Sequence, residues 1–161
     1  MGGGGISDSK SKPLLGTDEA TIDGKGRILI SKKKRERLGN DFVIALGEVG
    51  CLTAYPESCW EDILSEIGAY PPSSSGRQQF TRLILGTAED ELNCDAQGRV
   101  VVPSKLRELA GLREKVILVG AFDRLEIWDA EEYQNYLNNP DSYGQERRDL
   151  LERARSKMVD R

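Results

Sequence analysis

Asp23 and Arg27 stand four residues apart with Gly24 and Gly26 between them, and Asp95 and Arg99 repeat the spacing around Gly98. A carboxylate in such a place can organise a turn by accepting backbone N–H groups. A guanidinium at the exit of the turn has a planar fork that suits a phosphate or a guanine edge. The alternative is that each arginine only pairs with its own aspartate and holds the hairpin. The chemistry on offer is anion binding, not bond making. The chain has no histidine, which removes the commonest general base and the commonest zinc ligand together. Cys51, Cys59 and Cys94 are widely spaced and read as small buried hydrophobes in a reducing, cytoplasmic compartment. No metal, cofactor or catalytic residue is expected, because no nucleophile stands beside a base in the pattern that an enzyme needs.

The elements that position these residues come from an internal repeat. Residues 21–38 align without a gap on residues 93–110: Asp23 meets Asp95, Gly26 meets Gly98, Arg27 meets Arg99, and Arg35 meets Arg107. In each copy a strand leads into Asp-x-x-Gly. Asp opens a type I turn, and Gly at the fourth place tolerates the left-handed backbone that closes a bulged hairpin. An apolar triplet follows, Ile28–Ile30 or Val100–Val102, as a buried β run. A short helix is expected over Lys32–Leu38 and over Ser104–Ala110, closed by Gly39 and Gly111. Ser31 could cap the first of these helices where the second has Pro103. Two further strands and a longer helix complete each unit. The DGKG stretch is not a phosphate loop, since it lacks the Gly-to-Lys-Ser/Thr spacing and a helix directly behind it. Asp23, Gly26, Asp95 and Gly98 are therefore the turn formers.

Charge is unevenly spread. The net value is −4, with 23 Lys and Arg against 27 Asp and Glu. Between residues 23 and 38, however, Lys25, Arg27, Lys32, Lys33, Lys34, Arg35 and Arg37 face only Asp23 and Glu36. Lysines in the first turn of a helix oppose its dipole, and no acid four residues earlier compensates them. A run that slightly harms its own helix points to a polyanion partner. Lys25 and Gln97 lie at the turn tips, and Lys105 repeats Lys33 in the second copy. Backbone contact is the primary expectation for these residues, base reading a further one. Tyr55, Trp60, Trp128 and Tyr133 occupy matching places and read as packing residues. No window is long and apolar enough to span a membrane, so no membrane partner is expected.

The two copies "DGKGR" and "DAQGR", together with "RVVVPSKLRELAGL" and "VILVGAFDRLEIWD", resemble the MraZ family of bacterial transcriptional regulators, a tandem branch of the AbrB-like (SpoVT-AbrB) group. The resemblance runs from about Leu15 to Leu137. It implies an α+β, mainly β fold: a pseudo-twofold swapped-hairpin β-barrel of two tandem modules with flanking short helices. It also implies a ring-shaped homo-oligomer, associated with the nucleoid, that binds double-stranded DNA at direct repeats upstream of the division and cell-wall operon. Arg27, Arg99, Arg35 and Arg107 carry over as DNA-contacting positions. The neighbouring lysines and Arg37 are added from charge alone. The expected organisation is a flexible leader over 1–14, modules over 15–76 and 77–140, and a charged helical tail over 141–161 whose role is open. An AbrB-like antitoxin with a toxin partner is the alternative reading.

Overall fold

The structure, a computed structural model, describes residues 12–159, so residues 1–11 of the expected leader lie outside the described residues. The first half runs β1 (Thr17–Thr21), β2 (Arg27–Leu29), α1 (Lys32–Leu38), β3 (Phe42–Leu46), β4 (Leu52–Pro56), α2 (Glu57–Gly68) and α3 (Ser75–Leu83). The second repeats the order: β5 (Glu89–Leu92), β6 (Arg99–Val101), α4 (Ser104–Leu109), β7 (Lys115–Gly120), β8 (Leu125–Asp129), α5 (Ala130–Asn138) and α6 (Gln145–Val159).

Six strands make one antiparallel sheet in the order β1-β7-β8-β4-β3-β5. Read from either end, the order is the first strand of one copy, then the third and fourth strands of the other. The first strand of each copy thus pairs with the opposite copy, β1 with β7 and β5 with β3. The remaining strands, β2 and β6, pair with each other as a separate ribbon.

The fold is α+β, but the expected closed barrel is not formed. Closure would need a ladder from β2 onto β1 and from β6 onto β5. Among the described residues β1 and β2 meet at a single bridge, Ile22–Ile28. The strands before the turns are already paired with the opposite copy, β1 with β7 and β5 with β3, and Ile22 N–H itself donates to the Glu114 carbonyl. The sheet therefore keeps two edges, β1 and β5. Both are short and acidic, "TDEAT" and "EDEL", which discourages pairing with another chain through these edges.

The core lies between the sheet and the ribbon. Ile28, Ile30, Val100 and Val102 from the ribbon, Leu38 from α1 and Leu106 from α4 close over Phe42, Ile44, Leu52, Leu118, Leu125 and Ile127. Strand β3 is buried along its whole length because its opposite face is covered too. There Ala45 and Tyr55 meet Cys59, Ile84 and Leu151 under α2, α3 and α6. On the second copy Trp128 packs against Tyr133, Tyr136 and Tyr143, with ring centroids 5.2, 5.1 and 5.7 Å away. Tyr55 and Trp60 pack at 5.2 Å with their rings tilted by 43°, so these aromatics do pack as the sequence suggests.

The C-terminal helix is docked within its own chain, not solvated. Leu151 and Ala154 are buried while Leu150 faces outward. Arg147 anchors the start of α6: its Nε donates to the Gly47 carbonyl at 2.6 Å, and its Nη2 donates to the carbonyls of Leu46 and Leu83. At the other end α6 crosses α3 backbone to backbone. A Cβ on Gly76 would lie 2.3 Å from the Met158 nitrogen and 2.4 Å from the Ala154 oxygen.

That crossing yields a prediction whose sign runs against helix propensity. Gly76→Ala gains up to about 1 kcal/mol of intrinsic helix preference, but the added methyl must push α3 off α6, at a cost of roughly 1–3 kcal/mol. Urea unfolding should show a net loss of stability; a gain would mean that the two helices separate freely.

Candidate nucleic-acid interface

The two turns are built alike. Asp23 Oδ1 accepts the backbone N–H groups of Lys25 and Arg27, both at 2.9 Å, and its carbonyl accepts Gly26 N–H. Asp95 does the same for Gln97, Arg99 and Gly98. Gly26 and Gly98 have φ of +79° and +89°, the left-handed region that favours glycine. Each second carboxylate oxygen then takes the following arginine: Arg27 Nε at 2.7 Å from Asp23 Oδ2, and Arg99 Nε at 3.2 Å from Asp95 Oδ2. These arginines stay partly exposed, with 26% and 30% of their side-chain surface accessible. Among the described residues no hydrogen bond engages the Nη groups of either.

The ribbon sets the two turns side by side. Its register pairs Arg27 with Val101, Ile28 with Val100, and Leu29 with Arg99. Ile28 and Val100 are fully buried, so Arg27, Leu29, Arg99 and Val101 share the outward face; the triplets are thus not buried throughout as expected, because strand alternation turns their middle residues out. The ladder is extended at both ends, by Ile30 N–H to the Gly98 carbonyl and by Val102 N–H to the Gly26 carbonyl.

A second pair of arginines crosses between the copies. Arg35 Nε donates to the Ile30 carbonyl at 2.9 Å, and Arg107 Nε donates to the Val102 carbonyl at 3.0 Å. Each guanidinium lies over the glycine of the opposite turn. A Cβ on Gly98 would fall 2.7 Å from Arg35 Cζ, and one on Gly26 would fall 3.0 Å from Arg107 Cζ. The glycines therefore serve two ends, backbone conformation and close approach of a cation, and the second of these is not visible in the sequence.

The basic run separates into surface and interior. Lys25, Gln97, Lys32, Lys33 and Lys105 are exposed. Lys34 differs from the expectation: it is buried at 6% exposure, and its ammonium meets Asp18 Oδ2 at 2.8 Å. Its counterpart in the repeat is Leu106, which faces the core, so helical position and not charge decides where Lys34 points. Arg37 donates Nη1 to the Pro13 carbonyl at 2.8 Å and is drawn away from the turns. Ser31 stands at the N-cap of α1 but makes no side-chain cap hydrogen bond.

The Asp23 carboxyl is held down to about 2 from an ordinary 3.8, first by the Arg27 backbone N–H, with the Arg27 side chain and Lys25 N–H adding to it against a cost of burial. The Asp95 carboxyl is lowered for the same reasons. A depressed folded-state value means that the turn contributes its full stability above about pH 4 and loses it as pH falls through about 2. Asp23→Asn should therefore flatten the loss of thermal stability between pH 4 and pH 2; a slope equal to that of the unaltered protein would show that the carboxylate does not organise the turn.

The sequence that builds this geometry is similar to that of known proteins. The family model described as "MraZ protein, putative antitoxin-like" matches this chain twice, over residues 14–83 and 84–153. The transcriptional regulator MraZ of Thermoanaerobacter sp. (strain X514) is 40% identical over 128 residues, covering 80% of this chain and 89% of that protein. The MraZ of Carboxydothermus hydrogenoformans is 37% identical over 148 residues, 91% of this chain and 97% of its own length. That of Lactiplantibacillus plantarum is 38% identical over 123 residues, 76% and 86% respectively. With two tandem copies of one module and relatives matched along nearly their whole length, this chain belongs to the MraZ family.

Proposed function

We propose that the protein is a sequence-specific, DNA-binding transcriptional regulator. The observation that carries this reading is the placing of two Asp-x-x-Gly-Arg turns on one outward face, with Arg27 across the β2–β6 ribbon from Val101 and Arg99 across from Leu29. The family membership supports it, since the relatives are named transcriptional regulators. In this reading Arg27 and Arg99 contact DNA directly. Arg35 and Arg107 brace the turns and approach the backbone. Lys25, Lys32, Lys33 and Lys105 neutralise phosphates, and Gln97 touches the groove from its turn tip. Lys34 is left out because it is spent on Asp18, and Arg37 is left out because it is held at Pro13.

The proposed targets are direct repeats upstream of the division and cell-wall operon. One chain offers one small basic face, so several chains in a ring would address successive repeats, and affinity would accumulate by effective concentration. The protein would then work in the cytoplasm, at the nucleoid. The exchange of first strands, β1 onto β7 and β5 onto β3, fits a swapped-hairpin origin of the two halves.

The test is a salt titration of binding to promoter fragments that carry direct repeats. Each phosphate neutralised contributes about −0.9 to the slope of log affinity against log salt. Arg27→Ala with Arg99→Ala is expected to lose at least about tenfold in affinity and to flatten the slope by about 2. The melting temperature should change little, since partly exposed ion pairs contribute about 0–1 kcal/mol. Unchanged binding with a collapsed melting temperature would confine these arginines to the hairpin. The family description also keeps an antitoxin reading in view; a pull-down that recovered a stoichiometric nuclease would favour it.

A further inference from the structure

The outward face of the ribbon carries two large apolar side chains. Leu29 keeps 56% of its surface accessible and Val101 keeps 53%. Neither fills the core, which the alternate positions Ile28 and Val100 do. They occupy the same place in both copies, two residues after each turn arginine. The register sets Leu29 directly across from Arg99 and Val101 directly across from Arg27. Cross-strand partners on one face have Cβ atoms about 4.5–5.5 Å apart. Arg27 and Arg99 thus each have a branched aliphatic residue as cross-strand partner, and the arrangement is doubled about the Ile28–Val100 pair.

Such an alternation of cation and hydrocarbon matches one surface in particular. The major groove admits a two-stranded β-ribbon, and guanine presents two acceptors there that an arginine fork takes. Thymine presents the one apolar group of that groove, its C5 methyl. The offset between an arginine and its aliphatic neighbour is comparable with one to two base-pair steps of roughly 3.4 Å. We infer that Leu29 and Val101 read thymine methyl groups beside the bases addressed by Arg99 and Arg27. The inference rests on the DNA-binding reading above and adds a specificity element to it: the ribbon favours thymine next to guanine.

The test uses duplexes that the protein selects for itself. A randomised 30-base-pair library, enriched on the unaltered full-length chain, supplies a bound sequence. That sequence is then remade with deoxyuridine replacing each thymine in turn, which removes the methyl and nothing else. The unaltered protein should lose about threefold to fivefold in affinity at one or two thymines flanking a guanine, the scale of one buried methyl group. Leu29→Ser should bind the thymine and uracil duplexes equally at one such position, and Val101→Ser at the other. Both residues are exposed, so circular dichroism melts should stay close to those of the unaltered chain. A thymine–uracil difference that survives in both variants, or is missing from the unaltered protein while selection still succeeds, overturns the inference and leaves DNA binding intact. A changed molecular mass of Leu29→Ser with its thymine preference retained would assign the face to a second copy of the chain and overturn it as well. Failure to enrich any sequence would instead defeat the DNA-binding reading itself.

Discussion

The pairing of β2 with β6 is the contact on which the rest of the geometry depends. Each strand is three residues long. A strand of that length, in an isolated hairpin, is not stable in water. Paired across the repeat, the two strands put Ile28, Ile30, Val100 and Val102 into the core with essentially no exposed surface. Each such side chain contributes about 1.5–3 kcal/mol by burial. Neither half can bury the two outer residues of its triplet without the other, so the two copies form one cooperative unit around a common core. Because the ribbon register is fixed by that burial, the positions of the two turns are fixed with it. A slip by one residue would turn Ile28 and Val100 outward and Arg27 and Arg99 into the core.

The exchange of edge strands follows from the same constraint. Once β2 is committed to β6, the strand before each turn, β1 or β5, is carried to the opposite copy's half of the sheet. There β1 finds β7, and β5 finds β3. Asp18 on β1 is thereby brought under α1, where it neutralises the buried Lys34. That pair compensates the one lysine of the basic run that could not reach solvent. Breaking it by removing Asp18 would leave a charge in the interior, the costly case for a buried ion. The lysine triplet is therefore two surface charges and one internal tie between a strand and a helix.

What could be read from the sequence was local, and what could not was set by distant packing. The aspartates, the glycines and the apolar triplets announce the turns and the ribbon strands because their chemistry acts over four or five residues. The helix after each ribbon strand is equally plain. The burial of Lys34 was partly visible, since Leu106 stands at its place in the repeat, but counting charge along the chain hides that signal. The open sheet was not legible: nothing near Ile22 or Cys94 says that the strand before the turn pairs with the opposite copy and not with the strand after it. The docking of α6 was not legible either, because its anchors, Arg147 on the carbonyls of Leu46, Gly47 and Leu83, lie far away in the chain. Nor does the sequence reveal that Arg35 and Arg107 cover each other's turns, a contact made only once the copies are paired.

Pairing of Arg27 with Asp23, and of Arg99 with Asp95, is compatible with a second partner for each guanidinium. The carboxylate takes Nε and, among the described residues, leaves the Nη groups without a hydrogen-bond partner. At a distance the pair is close to neutral and attracts a polyanion weakly; at contact it offers donors already oriented, so little rotamer freedom remains to be lost. Long-range attraction must then come from other groups, and here the copies differ. Lys25 and Lys32 of the first correspond to Gln97 and Ser104 of the second, while Lys33 and Lys105 agree. The first copy therefore supplies most of the positive field, and the second repeats the contact geometry with less charge. Acid is concentrated elsewhere, on the sheet edges β1 and β5 and in the first turn of α5. Separating the charges in this way favours approach of a polyanion by the basic turns over approach by the acidic edges.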